Sequence, residues 1–366
     1  MNLGAFLQTL EVNLGCKAGE RVVVASDTAP FLEPTESFPD RLALAEKIAA
    51  VGAAAGIHTR CISYPPTNGH GREPPMPVFD AVFPDGFTDF AVRSGLWEPL
   101  QKKTIDDAGL QHLRSYLEGK PPAVDVALIL SYYSSSHTRF RQLLTGAGTR
   151  LATMPTVEPF MFTGVMTADW TAVAKRCDAA ARELTQAVAA EIHSAGGRQL
   201  TLSLEGRPGL VSSGDLSKPG AAGNLPGGES YIAPLEGSAS GELSIGFPDD
   251  PAAWAFRFDA GNLVEIIGNP PFRRGLEETL ERLPDARQAC ELGIGTNEKA
   301  SRPDNILEAE KILGTVHLAL GDNAAFGGTV KVPFHCDYVV YEPTLKLMQA
   351  DGSETVAIRD GRFMLA

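Results

Sequence analysis

The residues best suited to chemistry lie in one stretch, Lys311 to Tyr341, KILGTVHLALGDNAAFGGTVKVPFHCDYVVY. VHLAL and PFHCDYVV are rich in β-branched and aromatic residues, and GDNAAFGG between them holds turn formers. The pattern predicts two strands joined by a Gly-rich loop. Side chains alternate faces along a strand, so His335 and Asp337 point one way and Cys336 the other. A hairpin folding about Phe326 sets His317 opposite His335, unless a bulge shifts the register by one. A lone His or Asp in a strand is ordinarily a hydrogen-bonded edge or surface residue. Two imidazoles and a carboxylate converging on an apolar sheet are costly to bury without a partner, and a divalent metal ion suits that N/O set.

Two further acids stand in unusual settings. Glu229 follows the tight turn Asn224-Leu-Pro-Gly-Gly at the start of the strand SYIAP. Glu291 opens ELGIGTN, where Gly293 and Gly295 share its face and leave space for a ligand or another backbone. Each alone reads as a solvated strand end. Joined to His317, His335 and Asp337 they give three carboxylates and two imidazoles, enough for two metal ions about 3.5 Å apart, the arrangement of two-metal hydrolases. Elsewhere His70 reads as a solvent-facing loop histidine. Ser134, His137, Arg139 and Arg141 follow the strand VDVALILS, where an open α/β sheet can hold a carboxylate or phosphate, but helix capping plus surface charge explains them better.

The elements that must position these groups fall into two halves. An amphipathic opening helix carries Phe6, Leu10 and Leu14, and the unbroken apolar run RVVVAS suits a parallel strand. Ser37 or Asp40 can cap the helix DRLALAEKIAAVGAAAG, and HTRCISY follows as the next strand of a right-handed βαβ unit. PPTNGHGREPPMPVFDAVFPDGF, dense in Pro and Gly, reads as an ordered surface loop with short turns. A helix is expected to start among the serines at 134–136. A long helix, TADWTAVAKRCDAAARELTQAVAAEIHSA, is expected to end at Gly196 and Gly197 and to connect the halves. From about residue 199 short, turn-punctuated segments read as antiparallel strands. The expected fold is therefore an N-terminal parallel-sheet α/β domain over 1–197 and a mainly antiparallel, β-rich metal-binding catalytic domain over 198–366.

Composition narrows the partners. With 366 residues, 43% of them hydrophobic, the chain can bury a large core. A net charge of −13 without any basic run argues against nucleic acid or an anionic membrane. The opening residues lack a charged segment followed by an apolar core, so a soluble, cytoplasmic protein is expected. The five cysteines are odd in number, widely spread and expected to be reduced.

NLPGGESYIAPLEG, ELGIGTN and ILEAEKILGTVHLALGDNAAFGG, followed by H-C-D, resemble the thermophilic-type metallo-aminopeptidases, the family of aminopeptidase T and aminopeptidase S. GERVVVASD and the helix after it extend the resemblance over nearly the whole chain. The resemblance implies a homodimer that removes amino-terminal residues from peptides. It also implies two divalent ions, zinc, cobalt or manganese, held by two glutamates, two histidines, an aspartate and a tyrosine. Carried over by motif, Glu229, Glu291, His317, His335 and Asp337 are the metal ligands. Glu291 is also the expected catalytic proton shuttle for an amide bond next to a free amino group, in a small peptide or amino-acid amide. The tyrosine does not carry over: Ala324 stands in its place, and the longer insertion before H-x-D is missing. Of Tyr338 and Tyr341, alternation puts Tyr341 on the ligand face. The short G-x-N-x-x-x-G-G connection resembles a related branch, 2,5-dihydroxypyridine dioxygenase, a ring-opening enzyme with one non-haem iron. That branch takes its third ligand as a histidine where this chain has Glu291; here one Fe(II) could still sit on His317, His335 and Asp337, two histidines and a carboxylate. A missing tyrosine would also suit a binding protein on an inactivated scaffold.

Overall fold

Unbroken apolar runs become buried parallel strands in the first half of the chain. The computed structural model describes residues 3–28 and 41–366, so the candidate helix caps Ser37 and Asp40 lie outside it. The chain forms two compact units, Met1–Trp170 with Gly214–Gly227, and Thr171–Ser213 with Gly228–Ala366. In the first unit five strands pair in parallel, in the order His58–Tyr64, Arg21–Asp27, Val126–Ser131, Arg150–Pro155 and Ala222–Asn224. The helix Arg41–Ala54 buries Leu44, Ala45 and Ile48. The Pro-rich segment after Tyr64 is not only loop and turns, because Met76–Val82 and Phe87–Arg93 are helical. Pro77 lies in the first turn, where proline costs no hydrogen bond, and Val78, Phe79 and Val82 supply a buried face. Phe79, Phe83 and Phe87 stack there, with Phe140 edge-on.

The second unit holds two antiparallel sheets. One has eight strands, in the order Asn262–Ile267, Ala255–Asp259, Ser240–Ser244, Arg198–Ser203, Ala187–Ser194, Thr344–Gln349, Glu354–Arg359 and Arg362–Phe363. The other has five, in the order His335–Val340, Val316–Gly321, Ala289–Gly295, Glu229–Ile232 and Leu210–Ser212. One face of the five-stranded sheet, through Ile232, Leu292, Ile294, Val316, Leu318 and Val340, joins a single apolar core with Ile192, Leu200, Phe256, Leu345 and Ile358 of the larger sheet. Its other face carries the polar residues described below.

The long helix stops earlier than its composition suggests. It spans Trp170–Gln186, and Ala187–Ser194 is instead a strand between Arg198–Ser203 and Thr344–Gln349. Alanine favours helix only weakly, and a strand paired on both edges with Ala190 and Ile192 buried outweighs it. The units therefore divide at 170/171, with a return over 214–227, and not at 197/198. Among the described residues no helix is long and apolar enough to cross a membrane. Ile192 is fully buried in that central strand. Ile192→Ala is expected to cost about 2–5 kcal/mol in denaturant unfolding of the metal-free protein, and a loss under about 0.5 kcal/mol would contradict the strand placement.

Candidate metal centre

Strand alternation and register gather the polar groups. Leu292 pairs with Ile232 and Leu318, which face the core, so Gly293, Tyr231 and His317 in the next row face the other way. On that same face Glu229 lies opposite Gly295, Glu291 opposite Ala319, and Ala319 opposite Asp337. A bulge between Ala289 and Glu291 restores this phase after the strand begins. Small residues fill the positions between the acids and imidazoles. A Cβ on Gly293 would collide with the His317 imidazole, so the space expected there for a ligand is taken by His317 itself. One on Gly295 would collide with the carbonyl of Ile312, so that glycine admits a backbone. Glu229 is delivered by Gly228, at φ +126°, packed against Asn297.

The hairpin register differs from expectation. His317 lies opposite Val339, and His335 opposite Gly321, a shift of four residues from a turn centred on Phe326. Fully buried Asn323 sets the connection: its amide nitrogen donates to Val330 O at 3.1 Å, and its Oδ1 accepts from Val330 N at 2.9 Å. Glu236 accepts from Asn323 Nδ2 at 3.1 Å and from Thr329 N at 2.7 Å. Because the shift is even, both histidines and Asp337 still share one face.

Five expected residues meet. His317 Nε2 lies 3.4 Å from Glu229 Oε2 and 3.5 Å from Glu291 Oε1. His335 Nε2 lies 3.5 Å from Glu291 Oε2 and 3.6 Å from Asp337 Oδ1. These gaps exceed hydrogen bonds and match the edge of a coordination tetrahedron, about 3.3–3.6 Å for metal–ligand bonds of 2.0–2.2 Å. Two triads result, Glu229 with Glu291 and His317, and Glu291 with His335 and Asp337, joined by Glu291. The His317 side chain is fully buried, and among the described residues neither of its ring nitrogens has a hydrogen-bond partner. An ion at Nε2 would give one of these two nitrogens a partner. His335 Nδ1 donates to Asp322 O at 2.9 Å, which turns the Nε2 lone pair inward. The His335 and Asp337 side chains keep 22% and 17% exposure, so this end of the site opens to solvent.

The charges follow from burial and contact. Burial raises Glu291, partly offset by the two histidines. For His317 burial opposes protonation, but Glu291, Glu229 and Asp337 outweigh it and raise the imidazole to about 9. His335 is raised well above its ordinary value in the same way, with Asp337 the largest favourable partner. Burial opposes ionisation of Asp337, yet His335 holds it below the usual carboxylate range.

Sequence reasoning missed three neighbours. Lys311 is fully buried, with Nζ 2.6 Å from Glu229 Oε1 and in contact with Glu310 Oε1. An adjacent Glu-Lys pair ordinarily reads as surface, and no strand period places it. Tyr231 shares the ligand face two residues after Glu229, and that spacing could have found it. Its ring meets Phe326 edge-on at 5.5 Å, and Phe326 meets His335 at 6.0 Å. Tyr341, the expected substitute for the family tyrosine, packs with Ala309 and Val339. Tyr338 lies against Phe256 in the core, and Ala324 is exposed on its loop.

In the other polar cluster the described contacts are those of helix capping. Thr138 caps the helix Arg139–Gly146, which starts beyond the serines. The Glu73 carboxylate accepts from Arg139 N at 2.7 Å and Phe140 N at 2.8 Å, filling the place proposed for an external anion. His70 accepts from Ser134 N at 3.2 Å.

Two solved structures share this fold. A 2,5-dihydroxypyridine dioxygenase from Pseudomonas putida KT2440 is 17% identical, with 99% of this chain and 96% of that chain covered and a TM-score of 0.67. Wild-type AmpT from Thermus thermophilus is 15% identical, with 99% and 98% covered and a TM-score of 0.61. Both branches resembled by the sequence motifs are thus represented. No family model and no curated protein matches this chain.

Gly293→Ala is expected to remove the one equivalent of metal held through His317 while leaving the far-ultraviolet circular dichroism unchanged; uptake of two equivalents would contradict the placement of His317. A proton on Nε2 must leave before that nitrogen can ligate, so metal binding competes with protons at both histidines. Calorimetric titrations at pH 7 in buffers of different protonation enthalpy are expected to show net proton release, and affinity should climb as pH rises towards 9. Binding without proton release would contradict the charge assignment.

Proposed function

We propose that this protein is a two-metal hydrolase of the aminopeptidase type, cleaving an amide bond next to a free amino group in a small peptide or amino-acid amide. The observation that carries this reading is the pair of ligand triads sharing Glu291, whose two oxygens face different imidazoles. A single Fe(II) on His317, His335 and Asp337 fits less well, because neither triad contains both histidines.

Bound at these residues, divalent cations would supply Lewis acidity, polarising the scissile carbonyl and easing loss of a proton from water. The chain's own contribution is geometric. Glu291 acts as the shared ligand and has both oxygens engaged, so we assign it no separate role as proton shuttle. His335 is held by Asp322 O, and His317 by its close fit over Gly293. The exposed end at His335 and Asp337 admits the substrate, with Phe326 and Tyr231 offering apolar surface beside it.

Metal-free protein reconstituted with zinc, cobalt or manganese is expected to take up two equivalents per chain and to release free amine from amino-acid amides. Asp337→Ala should lower activity by more than about a hundredfold, beyond the 10- to 100-fold common for loss of an outer partner of a ligand. One equivalent of iron with oxygen consumption on a hydroxypyridine would overturn this reading in favour of the dioxygenase.

A further inference from the structure

Lys311 is the feature of the site that the proposed reaction leaves unused. It follows the short helix Ile306–Ala309, and its backbone is fixed from both sides: Lys311 N donates to Glu308 O at 3.0 Å, and Lys311 O accepts from Asn297 N at 2.9 Å. The side chain is fully buried, so its ammonium cannot swing out to solvent. Burial works to remove the Nζ proton, but Glu229 and Glu310 outweigh it and keep the group charged.

The contacts divide the carboxylates differently in the two triads. Glu229 gives Oε1 to Lys311 at 2.6 Å and turns only Oε2 towards His317, at 3.4 Å. Glu291 turns one oxygen to each imidazole. Asp337 faces His335 through Oδ1 at 3.6 Å. The triad of Glu229, Glu291 and His317 therefore has one ligand already engaged by a cation, and a like charge stands one carboxylate away from any ion placed there. Lys311 forms its ion pairs with Glu229 and Glu310, and reaches Asp337 of the other triad only through its charge at longer range.

We propose that Lys311 makes the two ion positions unequal, holding Glu229 to one-oxygen coordination so that the position at Glu229, Glu291 and His317 binds its cation more weakly than the position at Glu291, His335 and Asp337. This rests on the two-metal reading. Lys311 is a positioning residue here: it touches a ligand and not the substrate. The position at Glu229, Glu291 and His317 would then release its cation more readily than the partly exposed position at His335 and Asp337.

The test is cobalt(II) binding by metal-free protein, followed by calorimetry and by visible absorption of the bound ion. The wild-type chain is expected to bind two equivalents with dissociation constants at least tenfold apart. Lys311→Met should tighten the weaker equivalent at least tenfold and leave the tighter one within about threefold. His317→Ala should remove the weaker equivalent alone. Lys311→Met leaves Glu310 buried without its cation, so the double variant Glu310→Gln/Lys311→Met, which removes that charge and leaves Glu229 to the bound ion, is measured beside it and should shift the same way. A merely structural lysine would loosen both equivalents together. Two equivalents in the wild type and in both lysine variants, with the weaker one unchanged or loosened by both substitutions, would overturn the role of Lys311 while leaving the two-metal reading standing. A single equivalent in wild type and variants alike would overturn both, whereas one equivalent in wild type and two in the lysine variants would support the proposal in its strongest form.

Discussion

The second unit is organised around a concentration of charge that a protein interior does not tolerate alone. Glu229, Glu291 and His317 are buried on one face of a sheet whose opposite face belongs entirely to the apolar core, and His335 and Asp337 join them at the rim. Carboxylates and imidazoles at 3.4–3.6 Å are too far apart to satisfy one another by hydrogen bonds and too close to ignore one another's charge. Cations between them would resolve both conditions, and Glu291, facing both imidazoles, is the residue on which the arrangement turns.

The sheet achieves this with ordinary means. A two-residue period puts every ligand on one side, small residues at Gly293, Gly295 and Ala319 let neighbouring groups approach, and a bulge corrects the phase of Glu291. Asn323 and Glu236 fix the connection that returns the chain to His335. Rigid strands and an anchored loop hold ligand positions closely, as metal sites require. Lys311 adds a protein-supplied cation to the same face, tying Glu229 and Glu310 together at the closed end of the site.

Much of this was legible in the sequence, and for identifiable reasons. Strand period and turn residues located both strands of the hairpin, and parity alone was enough to bring His317, His335 and Asp337 to one face although the register was four residues off. The register itself depended on Asn323 reaching Val330, a contact that no local pattern announces. Ala187–Ser194 was misjudged as helix because its alanines carry a weak local preference, whereas its pairing partners lie far away at 344–349. The helix Met76–Val82 was hidden by prolines that fit its first turn. Lys311 and Glu310 were invisible because burial of a charged pair in a loop is decided by the fold around it. Capping was the better reading of the serines and arginines after 131, but the acid that meets the start of that helix, Glu73, lies more than sixty residues away and no local pattern points to it.

The account stands or falls on whether two cations share Glu291. Anomalous diffraction from crystals of the cobalt- or zinc-loaded protein tests this most directly. Two peaks are expected, one against each Glu291 oxygen at about 2.0–2.2 Å, the inner completed by Glu229 and His317 and the outer by His335 and Asp337. A single peak coordinated together by His317, His335 and Asp337, with Glu291 outside the coordination sphere, would contradict it.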